Sequence, residues 1–175
     1  IREHLAAQDA GNAEWQRDLS VSHERIGDVR RAQGDVEGAL AAYRASLAIA
    51  ERLAAHDAGN AAWQRDLSIS HNKIGDVRQA QGDLDGALAA YRASLAIGER
   101  LAAQDAGNAA WQRDTIVLLV KVSEVAPAEA RACLTRALEI ARGLAATGRL
   151  APVDAWMPED LQRRVAAIGG NEGRG

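Results

Sequence analysis

The sequence predicts an all-α protein, a solenoid of antiparallel helix pairs closed by a C-terminal capping helix. Three observations predict it. Trp15, Trp63 and Trp111 recur 48 residues apart, inside the stretches GNAEWQRDLS, GNAAWQRDLS and GNAAWQRDTI. The positions from Asn12 to Gly59 differ from those of Asn60 to Gly107 at only 9 places, so the chain carries an internal duplication. A fixed period of this size marks units that bury their cores only against their neighbours. Aromatics are 3% of the chain, Phe is absent and alanine is the commonest residue. That composition favours helix and lets helices approach closely.

Residues 1–11, IREHLAAQDAG, align with Ile49–Gly59. They are expected to be the end of a preceding repeat's second helix, and this open end to offer a surface for self-association. Repeat 1 covers residues 12–59. Asn12 is its N-cap, because an asparagine oxygen accepts an otherwise unpaired backbone N–H. Trp15, Leu19, Ser22, Ile26 and Val29 then follow helical spacing and form the expected core face. Gly34 suits a left-handed helix end, and Asp35 can cap the next helix. The second helix carries Val36, Ala39, Leu40, Tyr43, Leu47, Ala50 and Leu53 on one stripe. Gly59 is expected to stop it, with Asn60 capping repeat 2, residues 60–107.

Repeat 3, residues 108–147, is degenerate. It has lost QGD, carries Ala126-Pro127 instead, and is five residues shorter at this turn when Leu138 is matched to Leu95. Its first helix is apolar nearly all round at Ile116, Val117, Leu118, Leu119 and Val120, so it needs cover on more than one side. That cover is expected from residues 148–169, a C-terminal cap. There Pro158 starts a helix, Glu159 and Asp160 suit its first turn, and Trp156 and Met157 plug the end. Residues 170–175 read as a flexible tail.

Repeats 1 and 2 resemble the tetratricopeptide repeat, whose pattern is W-x2-L-G-x2-Y, then A-x3-F, then P, over 34 residues. Ile26-Gly27 and Ile74-Gly75 stand at the Leu-Gly pair. Ala39 with Tyr43, and Ala87 with Tyr91, stand at the A-x3-aromatic pair. The departures are His23 and His71 for Trp, Arg30 and Arg78 for Tyr, and Glu51 and Glu99 for Pro. Without the proline stop each helix can run on. The 48-residue unit is therefore similar to the long-helix variants found in kinesin light chains and in multidomain bacterial signalling proteins. The resemblance covers about residues 1–146. It implies a right-handed superhelix whose first helices line a concave groove that binds peptides.

The remaining features narrow the function class. A net charge of −3 argues against holding nucleic acid through phosphate contacts. The longest apolar run, Thr115–Val120, is far short of the ~18 residues of a membrane span. One cysteine, Cys133, excludes an internal disulfide, and the expectation is a cytoplasmic protein. His4, His23, His56 and His71 have no ligand-spaced partner, so no metal is expected. Ser22 and Ser70 precede His23 and His71, but adjacent helical residues diverge and make no nucleophile–base pair. No glycine pattern cradles phosphate. Gly27 and Gly75, mid-helix, imply close helix approach. The expectation is a non-catalytic protein without cofactor.

Opposite the expected core face, helical periodicity aligns Arg17, Val21, Glu24, Asp28 and Arg31 in repeat 1. Repeat 2 gives Arg65, Ile69, Asn72, Asp76 and Gln79. Repeat 3 gives Arg113, Val117, Val120 and Glu124. The resemblance makes this stripe the partner-binding groove. Two of the five non-conservative differences between repeats, Glu24/Asn72 and Arg31/Gln79, fall on it, as a reading surface over a constant frame would show. Drift at exposed positions gives the same pattern. Arg25, Lys73 and Lys121 stand three residues before Asp28, Asp76 and Glu124, at the i, i+3 spacing of ion pairs along a helix. In family members that clamp a peptide carboxylate, basic and amide side chains near here do so; the acids weaken such a clamp. The expected activity is a scaffold holding a peptide or partner protein in this groove. The competing expectation is a structural, oligomerisation or regulatory sensor segment for an N-terminal effector domain.

Overall fold

The computed structural model of the chain describes residues 12–172. Seven α-helices and two short 3-10 turns make up the described residues, with no strand among them. The helices are α1 (Ala13–Ala32), α2 (Val36–His56), α3 (Ala61–Ala80), α4 (Leu84–Gln104), α5 (Ala109–Val125), α6 (Ala130–Ala146) and α7 (Met157–Glu172). The expected cap and tail divide at residue 170, but α7 continues to Glu172. The expectations for residues 1–11 and 173–175 lie outside the described residues.

Local chemistry sets the boundaries. Asn12, Asn60 and Asn108 each accept the backbone N–H of the tryptophan three residues on, at 3.1–3.2 Å. Gly34 and Gly82 take φ of 80° between the helices of each pair, a left-handed conformation that favours glycine. Asp35 and Asp83 then accept from the N–H of Gly38 and Gly86 at 2.9 Å. α2 ends at His56 with Asp57 as its C-cap, and Gly59 lies beyond that end without a positive φ. Instead the Asp57 carboxylate accepts the Gly59 N–H at 2.9 Å and turns the chain through its side chain.

The chain divides into two compact units, Ile1–Ile97 and Gly98–Gly175. In the first, α2 packs between α1 and α3. Ala39, Leu40 and Tyr43 of α2 join Ile74 and Val77 of α3 and Ala90 of α4 in one buried cluster. Tyr43 and Tyr91 are fully buried, as expected of the aromatic position. Gly27 and Gly75 are where these rings land: a Cβ there would lie 2.6 Å from Tyr43 Cδ1 or Tyr91 Cδ1. None of the expected core face of α1 is fully buried: Trp15, Leu19 and Ser22 are half-buried, and the buried residues of α1 are Ser20 and Gly27. Ile74 and Val77 are 5% and 1% exposed, but their equivalents Ile26 and Val29 are 44% and 56% exposed.

In the second unit α6 packs between α5 and α7. Ile116, Leu118, Leu119, Val122 and Val125 of α5 and Cys133, Leu134, Ala137, Leu138, Ala141 and Leu144 of α6 are buried. Met157 and Leu161 of α7 are buried too, but Trp156 is 58% exposed and does not plug the end. No helix among the described residues is long and apolar enough to cross a membrane.

Candidate partner-binding face

In the first unit polar side chains of the predicted stripe bond to neighbouring helices. Arg17 pairs with Asp66 of α3 at 2.5 Å, and this bond raises the guanidinium pKa. Arg31 reaches Asp76 at 3.5 Å. Asp28 accepts from the Tyr43 hydroxyl at 2.7 Å and from Lys73 Nζ at 2.5 Å. Burial works to raise the Asp28 carboxyl, but the bonds from Lys73 and Tyr43 outweigh it and hold it below the ordinary range. Burial and Asp28 keep the Tyr43 hydroxyl protonated far above its ordinary range. Tyr91 repeats the arrangement, donating to Asp76 at 2.9 Å with Gln79 Oε1 at 2.7 Å. The Lys73–Asp28 bond corrects the expected pairing along one helix. It runs between repeats, because lysine at this position reaches back toward the preceding first helix.

Glu24 lies deeper. Ser46 of α2 and Ser70 of α3 donate to its carboxylate at 3.3 and 3.0 Å. Burial nevertheless raises its pKa, those two bonds opposing the shift. Around it runs a buried serine seam. Ser46 Oγ lies 2.8 Å from Ser20 Oγ and 3.2 Å from Ser70 Oγ. Ser68 and Ser94 repeat the first contact at 2.8 Å. Sequence reasoning missed this seam. The signal was the exact recurrence of serine at these positions in both repeats, set among apolar neighbours. His71, half-buried on α3, has its pKa lowered by burial, with Glu51 working the other way.

Val21, Arg65, Ile69 and Asn72 are half-buried. The two variable positions thus stand inside intramolecular contacts: Glu24 in the serine seam, Arg31 against Asp76, Gln79 against Tyr91.

The second unit treats the same stripe differently. Arg113 pairs at 2.5 Å with Asp154, a buried carboxylate in the turn before α7, and this bond raises the guanidinium pKa. Glu124 pairs with Arg164 of α7 at 3.5 Å. The equivalent bonds of repeat 1 are Arg17–Asp66 and Asp28–Lys73. Asp154 and α7 therefore supply, from unrelated sequence, the two charges that a following first helix supplies in the first unit.

Between these two pairs the stripe is open. Val117 and Val120 are half-buried and border a cleft of about 200 Å³ with Ile116, Trp156, Met157 and Leu161. Lys121, Glu124, Asp160 and Arg164 stand at its rim. A wider, more open depression of about 480 Å³ lies beside the end of α4, α5 and α6, with the Arg136–Glu99 pair in its lining. No family model matches the chain. No curated protein matches it either. Among the described residues no buried side-chain polar atom lacks a hydrogen-bond partner.

Proposed function

We propose that this chain is a non-catalytic protein-interaction scaffold of the tetratricopeptide type, a right-handed superhelical solenoid that holds a partner peptide on its first-helix face. On this reading it works in the cytoplasm, without a cofactor, on protein and not on nucleic acid or membrane. The observation that carries it is the cleft on α5. There the stripe offers open apolar surface at Val117 and Val120 beside an exposed tryptophan, the combination from which binding anchors are built. In the first unit Arg17, Glu24, Asp28, Arg31, Asp76 and Gln79 of the stripe already bond within the chain, so they are not the anchor.

Peptides selected from a displayed library against the full chain test this reading. Affinity measured by calorimetry is expected to fall about tenfold or more in Trp156→Ala and in Val120→Arg, the scale of losing a central contact. Arg44→Glu, on the exposed side of α2, is the control and is expected to leave affinity unchanged. Circular dichroism confirms that each variant is folded. A selected peptide indifferent to both cleft changes but lost in Arg44→Glu defeats the proposal.

A further inference from the structure

The face of α1 that carries Ile26 and Val29 has a known counterpart 48 residues later. Ile74 and Val77 on α3 are covered by Ala39, Leu40 and Tyr43 of the preceding second helix. The two first helices differ at only five of their 20 residues, yet Ile26 and Val29 stay exposed. Two such residues one turn apart form an apolar ridge of the kind that a packed helix covers.

The charges around the ridge are duplicated as well. On α3, Asp66 and Lys73 flank Ile74, and they pair with Arg17 and Asp28 of the preceding first helix. On α1 the equivalents are Asp18 and Arg25, both exposed. A partner for this face therefore has three parts in one geometry: an Ala-Leu-x2-Tyr stripe over Ile26 and Val29, a guanidinium for Asp18 and a carboxylate for Arg25. A helix pair of this repeat type has all three.

We propose that this face of α1 is a docking surface for one further helix pair of the same repeat type, seated as α1–α2 is seated on α3. A second copy of this chain does not fit the description, because its Ala39, Tyr43, Ala87 and Tyr91 are already buried in its own core. The proposal stands apart from peptide binding at the cleft, and neither one's failure touches the other.

The test extends the full chain by placing a copy of Asn12–Ala48 ahead of Ile1, where residues 1–11 complete the repeat in register. The urea midpoint of the extended chain is expected to shift upward. Amide exchange at Ile26–Val29 is expected to slow. The double change Ile26→Asp, Val29→Asp is expected to leave the midpoint of the unextended chain almost unshifted and to lower that of the extended chain. An extended chain without an upward shift, or a double change of equal effect in both chains, overturns the proposal. Sedimentation showing the unextended chain as a dimer that the double change dissolves overturns the assigned occupant in favour of a second copy.

Discussion

The first unit joins its helices through a polar seam, and the second joins equivalent positions through apolar packing. Ser20 and Ser68 correspond to Ile116, Ser70 to Leu118, and Ser46 and Ser94 to Ala137; Tyr43 and Tyr91 correspond to Leu134, and Gly27 and Gly75 to Ser123. Every one of these except Ser123 is buried. A serine pair adds little net stability, but leaving one of its hydroxyls unpaired costs about 1–3 kcal/mol. Such a seam therefore enforces one alignment of a helix on its neighbour. A repeat that is nearly identical to the next has most need of that, since its apolar stripe alone fits more than one neighbour. Repeat 3 differs in sequence from the others and its second helix packs on α7, so shape can do the work that hydroxyls do elsewhere.

The largest expected effect lies at the tyrosines. Tyr91→Ala is predicted to destabilise the chain by about 3–5 kcal/mol, the range for large aromatic truncations. It opens the space over Gly75 and removes the hydroxyl that serves Asp76. Leu134→Ala is the matching change in the second unit, at about 2–5 kcal/mol. Adding Tyr91→Phe and Tyr43→Phe separates ring from hydroxyl. Each is predicted to cost about 1.5–3 kcal/mol, the range for a hydrogen bond to a charged group. Urea denaturation of the four variants checks the set. A phenylalanine that costs nothing at either site shows that the acid–tyrosine bonds are idle.

The seam comes next. Ser46→Ala removes the hydroxyl shared by Ser20, Ser70 and Glu24. It leaves buried donors and acceptors behind, and is predicted to cost about 1–3 kcal/mol. Alanine is what the second unit already carries there, at Ala137. If Ser46→Ala is neutral by denaturation, the seam is no more demanding than the apolar packing and the contrast between the units fails.

How much of this was legible beforehand follows from the physics of each feature. Helix pairing, caps and the buried tyrosines were readable because Asn, Gly-Asp and Ala-x3-Tyr act locally and recur. The clash of a Cβ at Gly27 or Gly75 was readable as close approach, though not its partner. The serine seam was not, because periodicity scores serine as neutral and the bonds run over 24–46 residues of sequence. For the same reason the stripe looked like free surface. Asp28 and Asp76 read as members of an open groove, whereas both accept from buried tyrosines. The pairing of Asp154 and Arg164 with α5 left no repeat signal at all. Two isolated charges took the geometric places of Asp66 and Lys73.

Glu24 offers a finer test. It is the one acid in the seam, and the second repeat has neutral Asn72 there. Ser46 of α2, with Ser70, Asp66 and Lys73 of α3, faces it. Because the folded-state pKa is raised, the stability Glu24 contributes is fully present below its unfolded pKa, about 4.3. It is lost as pH rises through the folded value. Glu24→Gln is therefore predicted to be the more stable form at pH 7 and to lose that advantage on acidification. Denaturation midpoints of both forms between pH 3 and pH 7 check the sign. A constant difference across that range means the carboxyl is not desolvated in the seam.

The smallest expected effect is a gain, and it sets the two units against each other with one substitution. Gly98 lies within α4, at the position held by Ala50 in the first repeat. A Cβ there would meet Thr115 Oγ1 at 3.5 Å and Leu118 Cδ1 at 3.6 Å, ordinary contact distances. Gly98→Ala thus removes a glycine's backbone entropy cost without strain and is predicted to stabilise by about 0.5–1 kcal/mol. Gly75→Ala, equally mid-helix, drives its methyl into the Tyr91 ring and is predicted to destabilise by about 1–3 kcal/mol, as overpacking does. Helix propensity acts the same way in both, so the difference in sign isolates the packing. Thermal denaturation of the two variants is the measurement. If both raise the midpoint, the Tyr91 ring yields without cost and the close approach over Gly75 is not what keeps a glycine there.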